Sequence, residues 1–375
     1  MNKIIDLEVI HYERPEFPRE WVEIPIEHSY SKYPEAGKVD CLYRSVGNMV
    51  VKVLCDDGTV GYGSTGNYDL CQEVIERFFR PLLIGQNPLE IEKLWDLMYT
   101  SSMPFGRKGV SLLAISAIDI ALWDILGKTA GLPVYQLLGG KVRDKIKCYG
   151  TGPFPEEHKK RGYFGSKIPM PYGPEHGAEG MRANEDRVKE VRDKVGDNAD
   201  IMCDCWCGWD YPYTIQMAER LKEYKIKWIE EPLMPDDIEG YKRLRKILNA
   251  QGILLTSGEH EHSRWGARDL IDNGCVDILQ SDVEYCGGVS ELKKIMAIAS
   301  SRGVLVIPHC PSVPGMHVIM NSVVSPFMER ITQGCAPLFV GGYTEEDGYV
   351  ELSDAPGYGI ELNQDRLGRK NRCYN

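Results

Sequence analysis

Six ionisable side chains, Lys167, Asp204, Glu230, Glu259, Asp282 and His309, each close a short run of β-forming residues. If Asp204, Glu230 and Glu259 end adjacent strands of one parallel sheet, their oxygens converge within a few ångströms and repel unless a cation lies between them. An all-oxygen set selects a hard ion, Mg2+ first, with the remaining octahedral positions left to water or substrate. Asp282 and His309 come next along the chain. A carboxylate that accepts from one imidazole nitrogen fixes the tautomer and raises the basicity of the other nitrogen. Lys167 is expected on the opposite flank, facing that pair, where it would neutralise an anionic ligand. Taken singly, each acid reads as a solvated loop residue or helix N-cap, His309 as a core histidine and Lys167 as a surface lysine. The joint pattern favours a site.

The elements that must position these residues read as parallel βα units. From Lys145 the runs KIKCYG, YFGSKI, ADIMCD, IKWIEEP, ILLTSGE, VDILQSD and VLVIPH alternate with helical patterns. Those patterns cover Asn184 to Val195, Tyr213 to Tyr224, Gly240 to Leu248, Ala267 to Asn273 and Ser290 to Ser301. Such units close most naturally into a barrel with its active face at the carboxyl ends of the strands. The alternative, an open doubly wound sheet, calls for a GxGxxG after an early strand, which is not found. Met202, Trp228, Ser257, Gln280 and Ile307, each two positions before a candidate residue, should share its inward face. The first part of the chain is mixed: a strand near Ile4 to His11, a hairpin turn at Asp57-Gly58, and helices over 70–83, 88–101 and 108–128. The last of these is apolar around most of its circumference and reads as a buried helix joining two parts of the protein.

Composition narrows the class. A chain of 375 residues with 43% hydrophobic content builds a sizeable core, and 44 Lys+Arg against 55 Asp+Glu disfavours nucleic acid and anionic membranes as partners. No apolar run is expected to reach the length of a membrane span, and MNKIIDLEVIHYERPEF carries charge too early for a signal peptide, so the cytoplasm is the expected compartment. There the 12 cysteines stay reduced. Cys203, Cys205 and Cys207 alternate with Asp204 and Trp206, which raises a zinc or redox reading. The period of a strand answers it: with Asp204 toward the mouth, Cys203, Cys205 and, if the strand lasts that far, Cys207 face the surrounding helices as packing. Trp206 is then a candidate pocket wall.

The candidates lie within an ordered series of phrases: SAIDIALWDILGKTAGLPVYQLLGG, MCDCW, WIEEP, TSGEH, ILQSD with YCGGVSELKKIMAIA, IPH and APGYGIEL. Together these resemble the enolase superfamily, in its mandelate racemase branch, over nearly the whole chain, and within it sugar-acid dehydratases of the L-rhamnonate type. The resemblance implies an α/β protein with a (β/α)7β barrel over 131–339, an N-terminal α+β capping domain over 1–130, and a segment over 340–375 returning to the cap. It implies Asp204, Glu230 and Glu259 as Mg2+ ligands, His309 as acid/base with Asp282 as its partner, and Glu329 and His260 toward the substrate. A small-molecule sugar acid is the implied partner and a homo-oligomer, up to an octamer, the implied assembly. His28 and Arg44 lie in the loop region that a cap folds over the mouth, where they would read distal hydroxyls. Many racemases of the branch carry Lys-x-Lys at the end of the second strand; here the segment is Lys167-Ile168-Pro169, and proline cannot be an opposite-face base. That departure implies a one-base elimination. GEHEH and QSD differ from the usual GEHH and QPD, so D-arabinonate, L-fuconate and D-gluconate stand beside L-rhamnonate as substrates. Racemisation of a hydroxy acid and non-catalytic sugar-acid binding are the alternatives.

Overall fold

The computed structural model describes residues 2–12, 48–65, 69–331 and 339–363. Strands β1 (Ile4–Tyr12), β2 (Asn48–Cys55) and β3 (Val60–Thr65) form an antiparallel sheet. The β2–β3 turn falls at Asp57-Gly58 as expected, with Gly58 at φ 85° and its amide bonded to the Cys55 carbonyl at 3.0 Å. The helix Val110–Ala130 packs across this sheet and carries two buried aspartates that tie the molecule together. Asp119 accepts from the Ser290 amide at 2.9 Å and the Ser290 hydroxyl at 2.6 Å, while Ser116 accepts from the Gly287 amide at 2.9 Å. Gly287 and Gly288 take φ of 116° and 87°, with the Glu291 and Trp95 side chains close to the first and the Asp119 side chain against the second, so side chains there are excluded by conformation and by space. Asp124 accepts from the Tyr62 amide of β3 at 3.1 Å, from Lys128 Nζ at 2.6 Å and from the Tyr358 amide at 3.2 Å.

That helix is long and apolar enough to cross a membrane, contrary to the expectation that no run reaches such length, but most of it is buried within the protein. It is a core helix.

The main sheet is a ring of parallel strands: β4 (Ile146–Thr151), β5 (Gly165–Pro169), β6 (Asp200–Asp204), β7 (Trp228–Glu230), β8 (Leu254–Ser257), β9 (Ile278–Leu279), β10 (Leu305–Val306) and β11 (Phe327–Ile331). Neighbours pair in sequence order from β4 to β10, and β11 pairs with β4 to bring the ring back on itself. Helices between the strands cover its outside, including Gly177–Val195, Tyr211–Leu221, Ile238–Asn249, Ser263–Asp272 and Gly288–Arg302. Of the helices between these strands, sequence periodicity overlooked Pro155–Lys160, too short to show a period, and Val313–Asn321, apolar nearly all round. The expected (β/α) barrel with a mixed N-terminal cap is the observed fold. The C-terminal segment touches both parts. β12 (Phe339–Gly341) pairs with β15 (Ile360–Leu362) and sets Phe339 6.4 Å from the Tyr62 ring of the cap, while β13 (Tyr343–Glu346) and β14 (Tyr349–Leu352) form a hairpin paired to β4.

Alternation sorts the barrel interior. Tyr149, Met202, Trp228, Ile278 and Ile307 form an inner cluster with Phe164, Leu254, Leu305 and Phe327, while Cys148, Ile201, Cys203, Ile229, Leu255 and Leu279 belong to the layer under the helices. Met202, Trp228 and Ile307 thus face inward as expected. Ser257 does not: it shares the parity of outward Leu255, because Gly258 at φ 118° resets the alternation before Glu259.

Two buried histidines away from the mouth are held neutral. Burial lowers His158 to about 4 and His317 to about 3, and the His317 ring nitrogen Nδ1 accepts the Tyr135 amide at 3.0 Å, which requires it unprotonated. A group whose folded pKa is depressed favours the native state above its unfolded pKa and loses that preference as pH falls. Replacing His158 by Asn should therefore be less harmful in acid. Its stability deficit against the parent, measured by urea unfolding, should shrink by about 3 kcal/mol between pH 7 and 4. A pH-independent deficit would refute the neutral assignment.

Candidate active site

The mouth at the carboxyl ends of the strands gathers the candidate residues, though not all as strand ends. Asp204 and Glu230 end β6 and β7 and are register partners. Glu259, Asp282 and His309 lie just past β8, β9 and β10, on extended chain that keeps ladder-like bonds: Gln280 N to Ser257 O at 2.9 Å and His309 N to Gln280 O at 3.1 Å. Lys167 lies within β5, buried at 1% exposure. His28 and Arg44 fall outside the described residues.

Lys167 departs most from expectation. It does not stand on a free flank opposite the acids; its ammonium lies among them, 2.5 Å from Glu230 Oε1, 2.8 Å from Glu329 Oε1 and 3.4 Å from Asp204 Oδ2. Burial disfavours its charge, but Glu230, Glu329 and Asp204 outweigh burial and hold its pKa well above the ordinary lysine value. A permanently charged lysine with three carboxylate partners is neither a base nor an uncommitted cation for an anionic ligand. The reason is positional: β5 points Lys167 inward beneath the mouth, where acids from β6, β7 and β11 come within reach of its ammonium.

The acids still outnumber the cation. Burial pushes Glu230 up to about 8 and Glu259 up to about 7, each further raised by neighbouring carboxylates and opposed by Lys167 or His309; burial raises Asp204 as well. Glu230 Oε2 accepts from the indole of Trp228 at 3.0 Å. Glu329 is the exception. Burial would raise it, but Lys167 and His309 bring it down to about 2, and it accepts from Thr151 Oγ1 at 2.5 Å and the Cys310 amide at 2.9 Å. The sequence reading missed Thr151, a hydroxyl at the end of β4, and Cys310, which contributes through its backbone amide and so leaves no side-chain pattern.

His309 Nδ1 stands 2.9 Å from Asp282 Oδ2, with Nε2 3.5 Å from Glu259 Oε1. Burial disfavours the imidazolium, but Cys310, Glu259 and the hydrogen bond to Asp282 reverse this and hold its pKa well above the usual histidine value. Asp282 also accepts the Glu284 amide at 2.7 Å, which leaves the carboxylate a fixed anchor. A second pair flanks the mouth: His260 Nδ1 lies 2.7 Å from Glu231 Oε2, and the Trp206 ring is 6.2 Å from the His260 ring. Glu231 is another residue the sequence reading passed over, because it follows the strand end and shares the outward parity of Ile229.

Cys203 and Cys205 are buried in the helix-facing layer as expected. Cys207 is not. The strand stops at Asp204, Trp206 and Cys207 turn through φ of 40° and 59°, and the Cys207 thiol comes to 3.6 Å from Glu231 Oε2.

Asp204, Glu230 and Glu259 offer only oxygen, and the excess of buried negative charge around one lysine suits a hard divalent ion. They are more open than expected. Among the described residues, the His, Cys, Asp and Glu clusters with ligand atoms all within 4.8 Å are Cys207–Glu231–His260 and His309–Cys310–Glu329, and the acid triad is not one of them. Lys167 lies between Asp204 and Glu230, and Glu259 leans toward His309. Chemically the donor set fits the ion.

A parallel barrel with a histidine–carboxylate pair and clustered acids at its mouth, under an α+β cap, defines a barrel enzyme built for acid–base chemistry. The chain belongs to the mandelate racemase / muconate lactonizing enzyme family: that family's N-terminal domain matches residues 44–139, and the enolase C-terminal domain-like family matches residues 156–366. It is 38% identical to the L-rhamnonate dehydratase of Saccharopolyspora erythraea over 354 residues, covering 92% of this chain and 90% of that one. The crystal structure of rhamnonate dehydratase from Gibberella zeae complexed with Mg superposes with a TM-score of 0.90 at 32% identity, covering 98% and 95% of the two chains. That of the 3,6-anhydro-D-galactonate cycloisomerase from Zobellia galactanivorans gives 0.82 at 30% identity, covering 97% and 98%.

Removing the central cation should expose the charge imbalance. Lys167→Met is expected to cost roughly 3–5 kcal/mol of unfolding free energy in chelator-treated protein, since it leaves buried carboxylates unpaired. A cost near zero in urea titrations would show that the acids take up protons freely and that Lys167 is not their counter-charge. The double change Cys203→Ser, Cys205→Ser puts hydroxyls into an apolar layer and should cost about 1–3 kcal/mol while leaving turnover intact. Loss of turnover in folded double mutant would return these thiols to the chemistry.

Proposed function

We propose that this protein is a Mg2+-dependent dehydratase of sugar acids, taking water from an aldonate to give a 2-keto-3-deoxy acid, with L-rhamnonate the favoured substrate. One observation carries the reading: an oriented base, His309 on Asp282, faces Glu259 of the acid cluster, while the second-strand segment Lys167-Ile168-Pro169 offers a lysine already committed to three carboxylates and a proline. The L-rhamnonate dehydratases among its relatives support the substrate class.

Asp204, Glu230 and Glu259 would hold the ion. Bound there, Mg2+ supplies Lewis-acid stabilisation of the charge that develops on a substrate carboxylate as its α-proton leaves. Asp282 holds the proton on Nδ1 of His309, so Nε2 takes the α-proton. The resulting imidazolium faces the same side of the substrate and returns that proton to the departing 3-hydroxyl, after which the enol tautomerises to the ketone. One imidazole serves both halves of a syn elimination. Glu329, held by Lys167, Thr151 and the Cys310 amide, presents a rigid carboxylate beside the reacting centre. His260 and Trp206 line the wall toward the rest of the sugar acid, and His28 and Arg44 complete our reading of its distal recognition. We place the enzyme in the cytoplasm as a homo-oligomer.

A panel of aldonic acids incubated with enzyme and Mg2+ in D2O tests this. Loss of water with a new 2-keto signal is expected, L-rhamnonate foremost. His309→Asn should lower kcat by roughly 10^2–10^4-fold with substrate binding retained. Deuterium at C2 without dehydration would favour an epimerase instead, and no turnover of any acid sugar would remove both readings.

A further inference from the structure

The proposed reaction leaves one cluster unused as a unit. Past the ends of β6, β7 and β8, Cys207, Glu231 and His260 bring a thiol sulfur, a carboxylate oxygen and an imidazole nitrogen all within 4.8 Å of one another. Glu231 Oε2 is the hub, 3.6 Å from Cys207 Sγ and 2.7 Å from His260 Nδ1. Sulfur, nitrogen and oxygen together are the donor mixture of a borderline cation such as Zn2+, which takes three protein ligands and keeps a fourth position open. Mg2+ requires hard oxygen ligands near octahedral geometry and has little use for a thiol.

The backbone holds the cluster at a cost. Cys207 and Glu231 sit at φ of 59° and 41°, left-handed conformations that are unfavourable for a residue with a side chain. A 2.6 Å bond from the Cys207 amide to the Glu231 carbonyl locks the two turns together. The strain turns the Cys207 thiol away from the helix-facing layer of Cys203 and Cys205 and onto the Glu231 carboxylate. Cys207 and Glu231 are buried, while the His260 side chain is 39% exposed, so an ion can arrive from the pocket side and keep a water there. The other compact cluster, His309–Cys310–Glu329, belongs to the site already described: His309 Nδ1 is engaged by Asp282, and Glu329 by Lys167 and Thr151.

We propose that Cys207, Glu231 and His260 form a second cation site, selective for Zn2+-class ions over Mg2+, beside the acid cluster. Binding there displaces the thiol proton to solvent and takes His260 Nδ1 from its hydrogen bond to Glu231 into coordination. With the ring fixed against Trp206, an occupied site restricts the pocket wall, so Zn2+ inhibits without competing for the Mg2+ ligands. The existence of the site does not depend on the proposed reaction, since its primary readouts are metal content and a spectrum.

Full-length protein saturated with Mg2+ is dialysed against Zn2+ and analysed for metal; in parallel, Co2+ is added as a probe for thiolate-to-metal charge transfer. One retained Zn2+ per chain and a charge-transfer band are expected in the parent and in Cys203→Ser. Cys207→Ser should lose the band and bind Zn2+ roughly tenfold or more weakly. His260→Gln, which alters a partly exposed ring, should weaken Zn2+ similarly and keeps the test decisive if Cys207→Ser does not fold. No Zn2+ retained in excess Mg2+ by the parent, or a band and Zn2+ affinity unchanged in either Cys207→Ser or His260→Gln, overturns the proposal. If dehydration fails in every assay yet Zn2+ is retained through Cys207, the reaction falls and the site stands.

Discussion

The mouth of this barrel is organised around a charge imbalance. One buried ammonium, Lys167, is shared by Glu230, Glu329 and Asp204, while Glu259 leans on His309. Removing charges from water is costly, and close geometry offsets only part of that cost. The surplus has a chemical meaning. Glu230 and Glu259 are poised near neutrality, whereas Glu329, the acid best supplied with donors, stays ionised far into acid. The same field keeps His309 basic. A divalent ion would relieve the repulsion and convert a strained cluster into a binding site for an anionic ligand.

The rest of the molecule holds that cluster in place. The inner layer of Tyr149, Met202, Trp228, Ile278 and Ile307 fills the barrel below it, and Trp228 reaches up to anchor Glu230. The cap is fixed by the buried helix Val110–Ala130, whose Ser116 and Asp119 hold the Gly287 amide and Ser290 a few residues after Asp282. Asp119 is raised to about 7 by burial, so its bonds to Ser290 are made in an environment that barely tolerates its charge. Cap, turn and acid–base pair therefore form one continuous structure, with Asp124 tying in the C-terminal segment.

Much of this was legible in advance, unevenly. The alternating runs from Lys145 onward located the barrel strands because parallel strands buried on both faces read as short apolar runs. Asp204, Glu230, Asp282 and His309 were found by where those runs stop. Parity failed at Ser257, where one left-handed glycine restarts the count, and it does not extend to Cys207, where two left-handed residues turn the chain after the strand has ended at Asp204. Glu231 was invisible as a participant because it sits on the outward parity. Lys167 was found as a residue but misplaced, since its surroundings are set by strands distant in sequence.

The sequence by itself determined the succession of strands and the ionisable residues at or just past their ends, because these follow from local periodicity and side-chain chemistry. Only the tertiary structure decided which groups pair: that Lys167 serves the acids, that Glu329 is held by Thr151 and a backbone amide, and that Cys207 leaves its neighbouring cysteines for Glu231 and His260. Pairing depends on distances between residues far apart in the chain, and short-range pattern does not encode those distances.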